Sequence, residues 1–174
     1  MLARTFWQLV VRDRADFLPR LLRALSDSRA RYCVIGGVAV NAYAEPHITL
    51  DFDLVMAADD LPALEQALAG DVDVERFAHT TNVTSPESAL RVQISTDARY
   101  AGAIERAGRR TVLGFEMRVA ALPDVVQGKI WAAESPGRRP LKRQKDLFDI
   151  ARLLEAHPEL RELVPADILT KLPE

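Results

Sequence analysis

Two consecutive glycines, Gly36 and Gly37, constrain the fold of this chain more than any other feature, because they separate two segments of different periodicity. The run from Tyr32 to Ile35 before them is short and apolar, as in a buried strand. The segment from Val38 to Ala44 after them has helical character and stops before Pro46. The sequence thus predicts a strand, a tight turn and a helix in succession, in which the glycines let the backbone approach a phosphate group. A turn that needs glycine only for its positive φ is the alternative.

Two acidic side chains, Asp51 and Asp53, lie on one face of the strand predicted from Ile48 to Met56. Side chains two residues apart on a strand point to the same side, so these carboxylates can bracket one or two metal ions. The opposite face of this strand is directed to the core and carries the apolar residues Ile48, Leu50, Phe52 and Leu54. The alternative is that the acidic face is only the solvated side of an edge strand.

The order of the other elements indicates a single α/β (α+β) domain, with a mixed sheet flanked by helices. Helices are predicted for Phe17 to Ser28, Asp59 to Gly70, Ala98 to Ala107, Pro123 to Glu134 and Leu141 to Ala156. Strands or hairpins are predicted for Val72 to Phe77, Leu90 to Ser95 and Thr111 to Val119, with a polar loop at Thr80 to Ser88. A chain of 174 residues can bury one good core, so we expect one domain over 1–174. Its core is expected at about 16–157, with a peripheral N-terminal segment and C-terminal tail.

The composition of the chain narrows the classes of protein to which it can belong. A net charge of −2 gives no global attraction for nucleic acid. The single cysteine, Cys33, excludes an internal disulfide, and its apolar neighbours predict a buried strand residue. Trp7 and Trp131 are assigned to core packing, because they lack the interleaved basic pattern of a single-strand binder. No apolar run is long enough to span a bilayer, so we expect a soluble, cytoplasmic protein without a membrane partner.

Lys129 lies in the middle of an apolar stripe on the helix predicted from Pro123 to Glu134. Helical geometry turns this side chain inward, where a charged amine needs a partner. The alternative is a lysine whose stem packs against the core while its amine reaches solvent.

The last predicted helix carries basic and acidic side chains beside its apolar stripe. Lys142 with Asp146 and Lys145 with Asp149 have the spacing of ordinary surface ion pairs, and for Lys142 and Asp149 we keep that interpretation. A basic patch at the start of the helix consists of Arg138, Arg139, Lys142 and Arg143. This patch can receive an RNA backbone, but a solvated helix start is the interpretation we favour.

The glycine pair followed by the Thr49-x-Asp51-x-Asp53 strand resembles the signature of nucleotidyltransferases related to DNA polymerase beta. Thirteen residues separate Gly37 from Asp51, which fits the spacing of those enzymes. Within that superfamily the chain resembles the AbiEii-type and minimal nucleotidyltransferases from about residue 32 to residue 154. The resemblance implies that Asp51 and Asp53 are catalytic and bind Mg²⁺, and that Gly36 and Gly37 hold the triphosphate.

A second, lysine-rich motif of that family extends the resemblance to the two last predicted helices. It implies that Lys129, Lys145 and Asp146 contribute to nucleotide binding. The implied activity is magnesium-dependent transfer of a nucleoside monophosphate from a nucleoside triphosphate to a hydroxyl, with release of pyrophosphate. The acceptor is an RNA end, a protein or a small molecule, and the family's frequent place in toxin–antitoxin pairs implies an antitoxin as partner.

The chain departs from that family pattern at two positions. His47 stands where related sequences often have an arginine, so a phosphate contact there would depend on pH, unless His47 is only a surface loop residue. Gln93 stands where many members carry a third carboxylate as general base, and an amide cannot accept that proton. Asp97, Glu75 or activation of the acceptor by metal and positioning alone are the possible replacements. Gln93 also motivates two competing hypotheses, a catalytically weakened nucleotide- or partner-binding module and a purely structural domain.

Overall fold

Seven strands form one mixed sheet in the computed structural model, which describes residues 2–14, 16–70 and 72–173. The strands are β1 (Tyr32–Ile35), β2 (Asp51–Met56), β3 (Asp73–Arg76), β4 (Thr80–Thr84), β5 (Arg91–Ser95), β6 (Gly108–Val112) and β7 (Phe115–Val119). Their order in the sheet is β3-β4-β5-β2-β1-β7-β6. β2 pairs in parallel with β5, and β1 with β7, whereas the other neighbours are antiparallel. The predicted single domain with a mixed sheet is confirmed.

Helices connect and cover these strands. They are α1 (Leu2–Val10), α2 (Phe17–Asp27), α3 (Gly36–Val40), α4 (Leu61–Leu68), α5 (Ala101–Arg106), α6 (Leu122–Glu134), α7 (Pro140–Ala156) and α8 (Ala166–Leu169), with 3-10 turns at Ala58–Asp60, Ala98–Tyr100 and Pro158–Leu163. α3, α6 and α7 contact one another, and α2 contacts α4. α6 and α7 each have a proline in the first turn, where its missing N–H costs no hydrogen bond. Among the described residues, no helix is both long and apolar enough to cross a membrane.

The strands β1 and β2 occupy the middle of the sheet because their sequences are apolar on the faces that the core covers. Cys33 and Val34 of β1 are fully buried, as are Phe52 and Leu54 of β2. The prediction of a buried strand cysteine is therefore confirmed, and Asp51 and Asp53 project from the other face of β2. Ile48, which we predicted on the core face, is 57% exposed because β2 begins only at Asp51.

The prediction of a polar loop from Thr80 to Ser88 is wrong over its first five residues, which form β4 between β3 and β5. Thr81 and Val83 are buried, whereas Thr80, Asn82 and Thr84 are partly exposed. The segment looks polar in the sequence because threonines occupy both faces and one face of the strand remains open. β-branched threonine is nonetheless favoured in strands, and pairing on both edges supplies the backbone hydrogen bonds.

The segments on either side of the predicted core pack more tightly than the sequence indicated. The Trp7 ring lies edge-on to Phe115 of β7, with 5.5 Å between ring centroids, and both side chains are buried. Beyond α7, the side chains of Leu160, Val164 and Ile168 are also buried. Both ends of the chain therefore contribute to the hydrophobic core.

Candidate functional site

The glycine turn packs directly against one of the two predicted metal-binding carboxylates. Asp53 faces Ile35 across the β1–β2 pair, and Gly36 follows Ile35 directly. Gly36 has a φ of 68°, and a Cβ atom at this position would overlap the Asp53 carboxylate. Residue 36 therefore has to be glycine for two reasons, the left-handed backbone and the close approach of Asp53.

Gly36→Ala is expected to lower the free energy of unfolding by about 1–2 kcal/mol, because an L-residue is strained at positive φ. The added methyl group also displaces Asp53. The matched control is Gly37→Ala, since a Cβ atom there would lie at an ordinary 3.7 Å from Thr49. Urea denaturation of both variants measures the effect, and equal losses of stability would contradict the distinction between the two glycines.

Asp51 is the more exposed of the two carboxylates and is held by two cations. Lys142 Nζ donates to Asp51 Oδ2 at 2.7 Å, and Arg91 Nη2 lies 2.8 Å from Asp51 Oδ1. Burial raises the pKa of Asp51, but the hydrogen bond and charge of Lys142, together with the charge of Arg91, outweigh burial and lower the pKa below its ordinary value. Asp51 is therefore ionised at neutral pH. Arg91 was missed in the sequence, although its two-residue spacing from Gln93 on one strand places both on the same face.

Asp53 differs from Asp51 because no hydrogen bond or ion pair holds its carboxylate within the described part of the chain. Burial raises the pKa of Asp53, the charge of Lys129 opposes this rise, and the charge of Asp51 adds to it. A partly buried carboxylate without a partner is costly to ionise. Its position beside Asp51 therefore favours the binding of a cation.

Lys129 is the hub of a buried charge network between α6 and α7. It is 7% exposed, and its Nζ lies 3.1 Å from Asp146 Oδ1 and 2.7 Å from Asp149 Oδ2. Asp146 also accepts from Arg138 at 2.7 Å, and Asp149 accepts from Arg152 at 2.8 Å. Burial lowers the pKa of Lys129, but the charges of Asp149 and Asp146 raise it above its ordinary value, so the amine stays protonated. The predicted inward orientation of Lys129 is confirmed, and the alternative in which its amine reaches solvent is wrong.

The surface ion pairs that we expected along α7 do not form. Lys142 contacts Asp51, and Lys145 Nζ instead donates to Thr49 Oγ1 at 3.3 Å. The interpretation of Asp149 as a surface residue is wrong as well, since it is 2% exposed and paired with Lys129. The physical reason is that α7 packs its charged face toward β2 and α6, where ionic partners on other elements replace the neighbours one turn away.

The basic patch at the start of α7 is largely engaged within the protein. Arg138 binds Asp146, and Lys142 binds Asp51. Arg143 donates to the carbonyl oxygens of Ala133 and Ser135 at the end of α6. These cations therefore hold the site together, so the picture of a merely solvated helix start is wrong for Arg138, Lys142 and Arg143.

Gln93 lies beside the aspartate pair, as the sequence indicated. It is directly opposite Asp53 in the parallel β2–β5 register, and Asn82 and Glu75 continue the same row across β4 and β3. Residues directly opposite one another on paired strands share a face of the sheet. These four side chains line a cavity of about 550 Å³, together with Asp51. The cavity leads across the open sheet to the two carboxylates.

The two acids that the sequence offered in place of a third carboxylate are poorly placed to act as a base. Glu75 is three strands away from Asp53, about 14 Å at the usual strand spacing. Asp97 accepts from Arg99 Nη2 at 2.7 Å, and the hydrogen bond from Arg99 lowers the pKa of Asp97. A carboxylate stabilised in this way accepts a proton poorly.

A second cavity, of about 440 Å³, joins Gly36, Asp53 and Lys129. Tyr100 and Trp131 also line this cavity, so the assignment of Trp131 to core packing is wrong, whereas Trp7 is buried as expected. Trp131 lies beside the buried residues of α6 and is itself only partly buried, so part of its ring borders the cavity. No sequence motif marks Tyr100, and the sequence therefore missed it.

His47 is an exposed loop residue whose backbone is held by Asn41. Its N–H donates to Asn41 Oδ1 at 2.9 Å, and its carbonyl oxygen accepts from Asn41 Nδ2 at 2.7 Å. The imidazole lies edge-on to Phe148, with 5.2 Å between ring centroids. Of the two interpretations left open for His47, the structure favours the surface loop residue.

A family model described as "Nucleotidyl transferase AbiEii toxin, Type IV TA system" matches residues 20–172. The match includes every residue of the glycine turn, the aspartate pair and the α6–α7 charge network. The corresponding comparison with curated proteins finds no match.

Several solved structures share this fold. ANT(2″)-Ia in complex with adenylyl-2″-tobramycin is 15% identical, with a TM-score of 0.63 over 91% of this chain and 98% of that chain. An antigenic nucleotidyltransferase-like protein from Paracoccidioides brasiliensis is 19% identical, with a TM-score of 0.56 over 94% and 84%. The lincosamide antibiotic adenylyltransferase LnuA, lincomycin-bound, is 10% identical, with a TM-score of 0.54 over 78% and 95%. At these identities the likeness establishes the fold.

Proposed function

The chain belongs to the AbiEii nucleotidyltransferase toxin family, and from that premise we propose that it moves a nucleoside monophosphate from a nucleoside triphosphate to a hydroxyl group. Nucleotidyl transfer is the enzyme class of the family. The dependence on Mg²⁺, the residues of the site and the acceptor are our proposals. The observation that carries them is the pair of carboxylates on one face of β2, with the glycine turn packed against the second of them.

Asp51 and Asp53 suit a magnesium ion that enters with its nucleotide. Over residues 2–14, 16–70 and 72–173, no group of three or more His, Cys, Asp or Glu side chains is arranged to hold a metal. Mg²⁺ typically keeps several water molecules and binds one or two carboxylates together with substrate phosphates, so two carboxylates are sufficient. The unpaired carboxylate of Asp53 supports this assignment. When bound, the ion would neutralise the charge that develops on the transferred phosphoryl group.

The residues around the two carboxylates are proposed to bind the triphosphate and to hold the charged groups of the site in place. In our proposal Gly36 and Gly37 let the backbone approach the triphosphate, and Lys129 contributes a fixed positive charge to the cavity wall. Asp146 acts by holding the Lys129 amine and the Arg138 guanidinium in place. Lys145, whose amine contacts Thr49, supports the residues just before β2.

The acceptor is proposed to approach over the open face of the sheet, where Gln93 stands beside Asp53. Its amide can donate to and accept from an acceptor hydroxyl but cannot take the proton. Holding that oxygen in line with the phosphate is the main demand of this reaction. ANT(2″)-Ia is solved with adenylyl-2″-tobramycin and LnuA with lincomycin, which supports a small hydroxyl compound as acceptor. An RNA end and a protein side chain are the other candidates, and the family description supports an antitoxin as partner.

The test is to incubate the protein and Mg²⁺ with each α-labelled triphosphate and, separately, with cellular RNA, cellular protein and small hydroxyl compounds. Transfer of label to one acceptor class, lost in Asp51→Asn, is the expected result. Magnesium-dependent binding of nucleotide without transfer to any class would overturn the proposed activity. It would favour the alternative that Gln93 motivates, a catalytically weakened nucleotide-binding module.

Gln93→Asp is expected to increase transfer, because a carboxylate beside Asp53 supplies the general base that an amide cannot. General bases contribute about 10²–10⁴-fold in enzymes, so a gain of about 10-fold is expected even from an imperfectly placed carboxylate. Asn82→Asp is the matched control, since Asn82 lies in the same row one strand further from Asp53. Initial rates at saturating nucleotide measure the change. An unchanged rate in Gln93→Asp would contradict a limiting proton transfer.

A further inference from the structure

Two aromatic side chains line the cavity that contains Gly36, Asp53 and Lys129. Tyr100 closes the 3-10 turn that follows β5, and Trp131 lies on α6 two residues after Lys129. Their rings are 5.3 Å apart and nearly perpendicular, and both side chains are only partly buried. Neither ring has a role in the proposed nucleotidyl transfer.

Tyr100 is held against α6 at a point where the helix has no side chain. A Cβ atom on Gly128 would lie 3.0 Å from Tyr100 Oη and 3.3 Å from Tyr100 Cε1. Even a methyl group at residue 128 would therefore push the ring away. The glycine thus leaves room for the phenol to lie close to the helix, with its hydroxyl beside residue 128.

The Tyr100 hydroxyl has no hydrogen-bond partner within the described part of the chain. Burial raises the pKa of Tyr100 to about 12, the charge of Arg99 opposes the rise, and the charges of Asp97 and Asp53 add to it. The phenol therefore stays protonated at neutral pH and is available as a donor. Asp53 lines the same cavity as this phenol.

Arg99 lines the same cavity beside the two rings. Its guanidinium carbon lies 4.9 Å from the centroid of a Trp131 ring. Its Nη2 atom lies 2.7 Å from Asp97 Oδ2, and this ion pair holds the guanidinium in place. An aromatic ring, a guanidinium plane and a free hydroxyl donor are the groups that bind a flat base attached to an oxygen-rich sugar phosphate. A triphosphate alone has no flat surface that an aromatic ring could stack against.

We propose that Tyr100 and Trp131 bind the nucleoside half of the substrate, with Trp131 against the base and the Tyr100 hydroxyl donating to an oxygen of the ribose or its phosphate. This assignment rests on the proposed nucleotidyl transfer and deepens it. The triphosphate then extends from the aromatic wall toward Gly36 and Asp53, within one cavity whose volume is in the range of small-molecule sites. The open face of the sheet, on the other side of Asp53, then remains available for the acceptor.

Intrinsic fluorescence offers a direct test, because the chain contains only two tryptophans. In Trp7→Phe, Trp131 is the sole reporter, and Trp7 is buried against Phe115 outside the cavity. Titration of this variant with each nucleoside triphosphate and Mg²⁺ is expected to change the emission of Trp131. Titration with inorganic tripolyphosphate and Mg²⁺, which lacks the nucleoside, is expected to leave the emission nearly unchanged.

Single substitutions separate the two contacts. Trp131→Leu and Tyr100→Phe are each expected to weaken nucleotide binding about 10-fold in equilibrium dialysis, the scale of one base–aromatic stack or one hydrogen bond to a charged group. Tyr32→Phe, at a tyrosine that does not line this cavity, is the matched control. Tripolyphosphate binding should be unaffected by Trp131→Leu.

The outcomes distinguish this inference from the proposed function. In one outcome, the wild-type protein binds labelled triphosphates, but the emission of Trp131 does not change and both substitutions leave binding unchanged. The nucleoside assignment is then overturned, and nucleotidyl transfer still stands. If the wild-type protein binds none of the four triphosphates with Mg²⁺, the proposed function fails, and this inference fails with it.

Discussion

Replacement of Asp53 by asparagine is expected to abolish nucleotidyl transfer while leaving the fold intact. Its carboxylate is the group of the site without an ionic partner among the described residues, and it lies against the glycine turn. An amide of the same shape keeps the packing but removes the negative charge that holds a hard cation. Loss of one group that stabilises transition-state charge typically costs about 10²–10³-fold in rate, and loss of the metal costs more.

The same substitution is expected to raise thermal stability at neutral pH. Because burial raises the pKa of Asp53, ionisation of this group costs the folded state more than the unfolded state. That cost is present above the ordinary pKa of 3.8 and disappears as the pH falls below it. The benefit of asparagine should therefore appear at pH 7 and vanish near pH 3 in thermal melts.

Asp59→Asn is the matched control for Asp53→Asn, since Asp59 is exposed in the 3-10 turn after β2. It should change neither the rate of transfer nor the melting temperature. Retention of full activity in Asp53→Asn would contradict the assignment of the metal to this carboxylate. Loss of activity accompanied by unfolding would instead assign Asp53 a structural role.

Lys129→Met is expected to be the most destabilising single substitution at the site. Methionine matches the length of the lysine stem but leaves Asp146 and Asp149 buried without the amine between them. Removal of one partner from a buried ion network typically costs about 3–5 kcal/mol. Urea denaturation at pH 7 measures the loss, and Lys171→Met, which removes an exposed lysine paired with Asp167, is the control expected to change little.

A second substitution identifies the cause of this loss. In Lys129→Met, the added change Asp149→Asn removes one of the two carboxylates that have lost the amine and should recover part of the stability, although Arg152 then loses its ion pair. No recovery would argue that packing of the lysine stem, and not the charge network, carries the stability.

The pH dependence of the wild-type protein provides an independent check on Lys129. Its pKa is raised in the folded state, so its contribution is fully present below the ordinary value of 10.5 and is lost as the pH rises through the folded-state value. The wild-type protein should therefore lose more stability above pH 10.5 than Lys129→Met does. Parallel losses in the two proteins would contradict a charged Lys129.

Local periodicity in the sequence was enough to predict the centre of the candidate site. The alternation along β2 places Asp51 and Asp53 on one face, and the apolar run before Gly36 predicts the strand and turn that meet them. The helical spacing of apolar residues around Lys129 likewise predicts that its side chain points inward. Each of these features depends on neighbours within a few residues, and backbone geometry alone therefore encodes them.

Only the tertiary structure decided which groups meet across the chain. Lys142 lies 91 positions from Asp51 in the sequence. Its ion pair with Asp51 forms in place of the surface pair with Asp146 that we expected within α7. Strand order likewise decides that β4 forms from a threonine-rich segment, and helix packing decides that Trp131 faces a cavity. Periodicity specifies which face of an element is apolar, but the partner of a polar face depends on how whole elements pack, and that free energy is spread over the entire core.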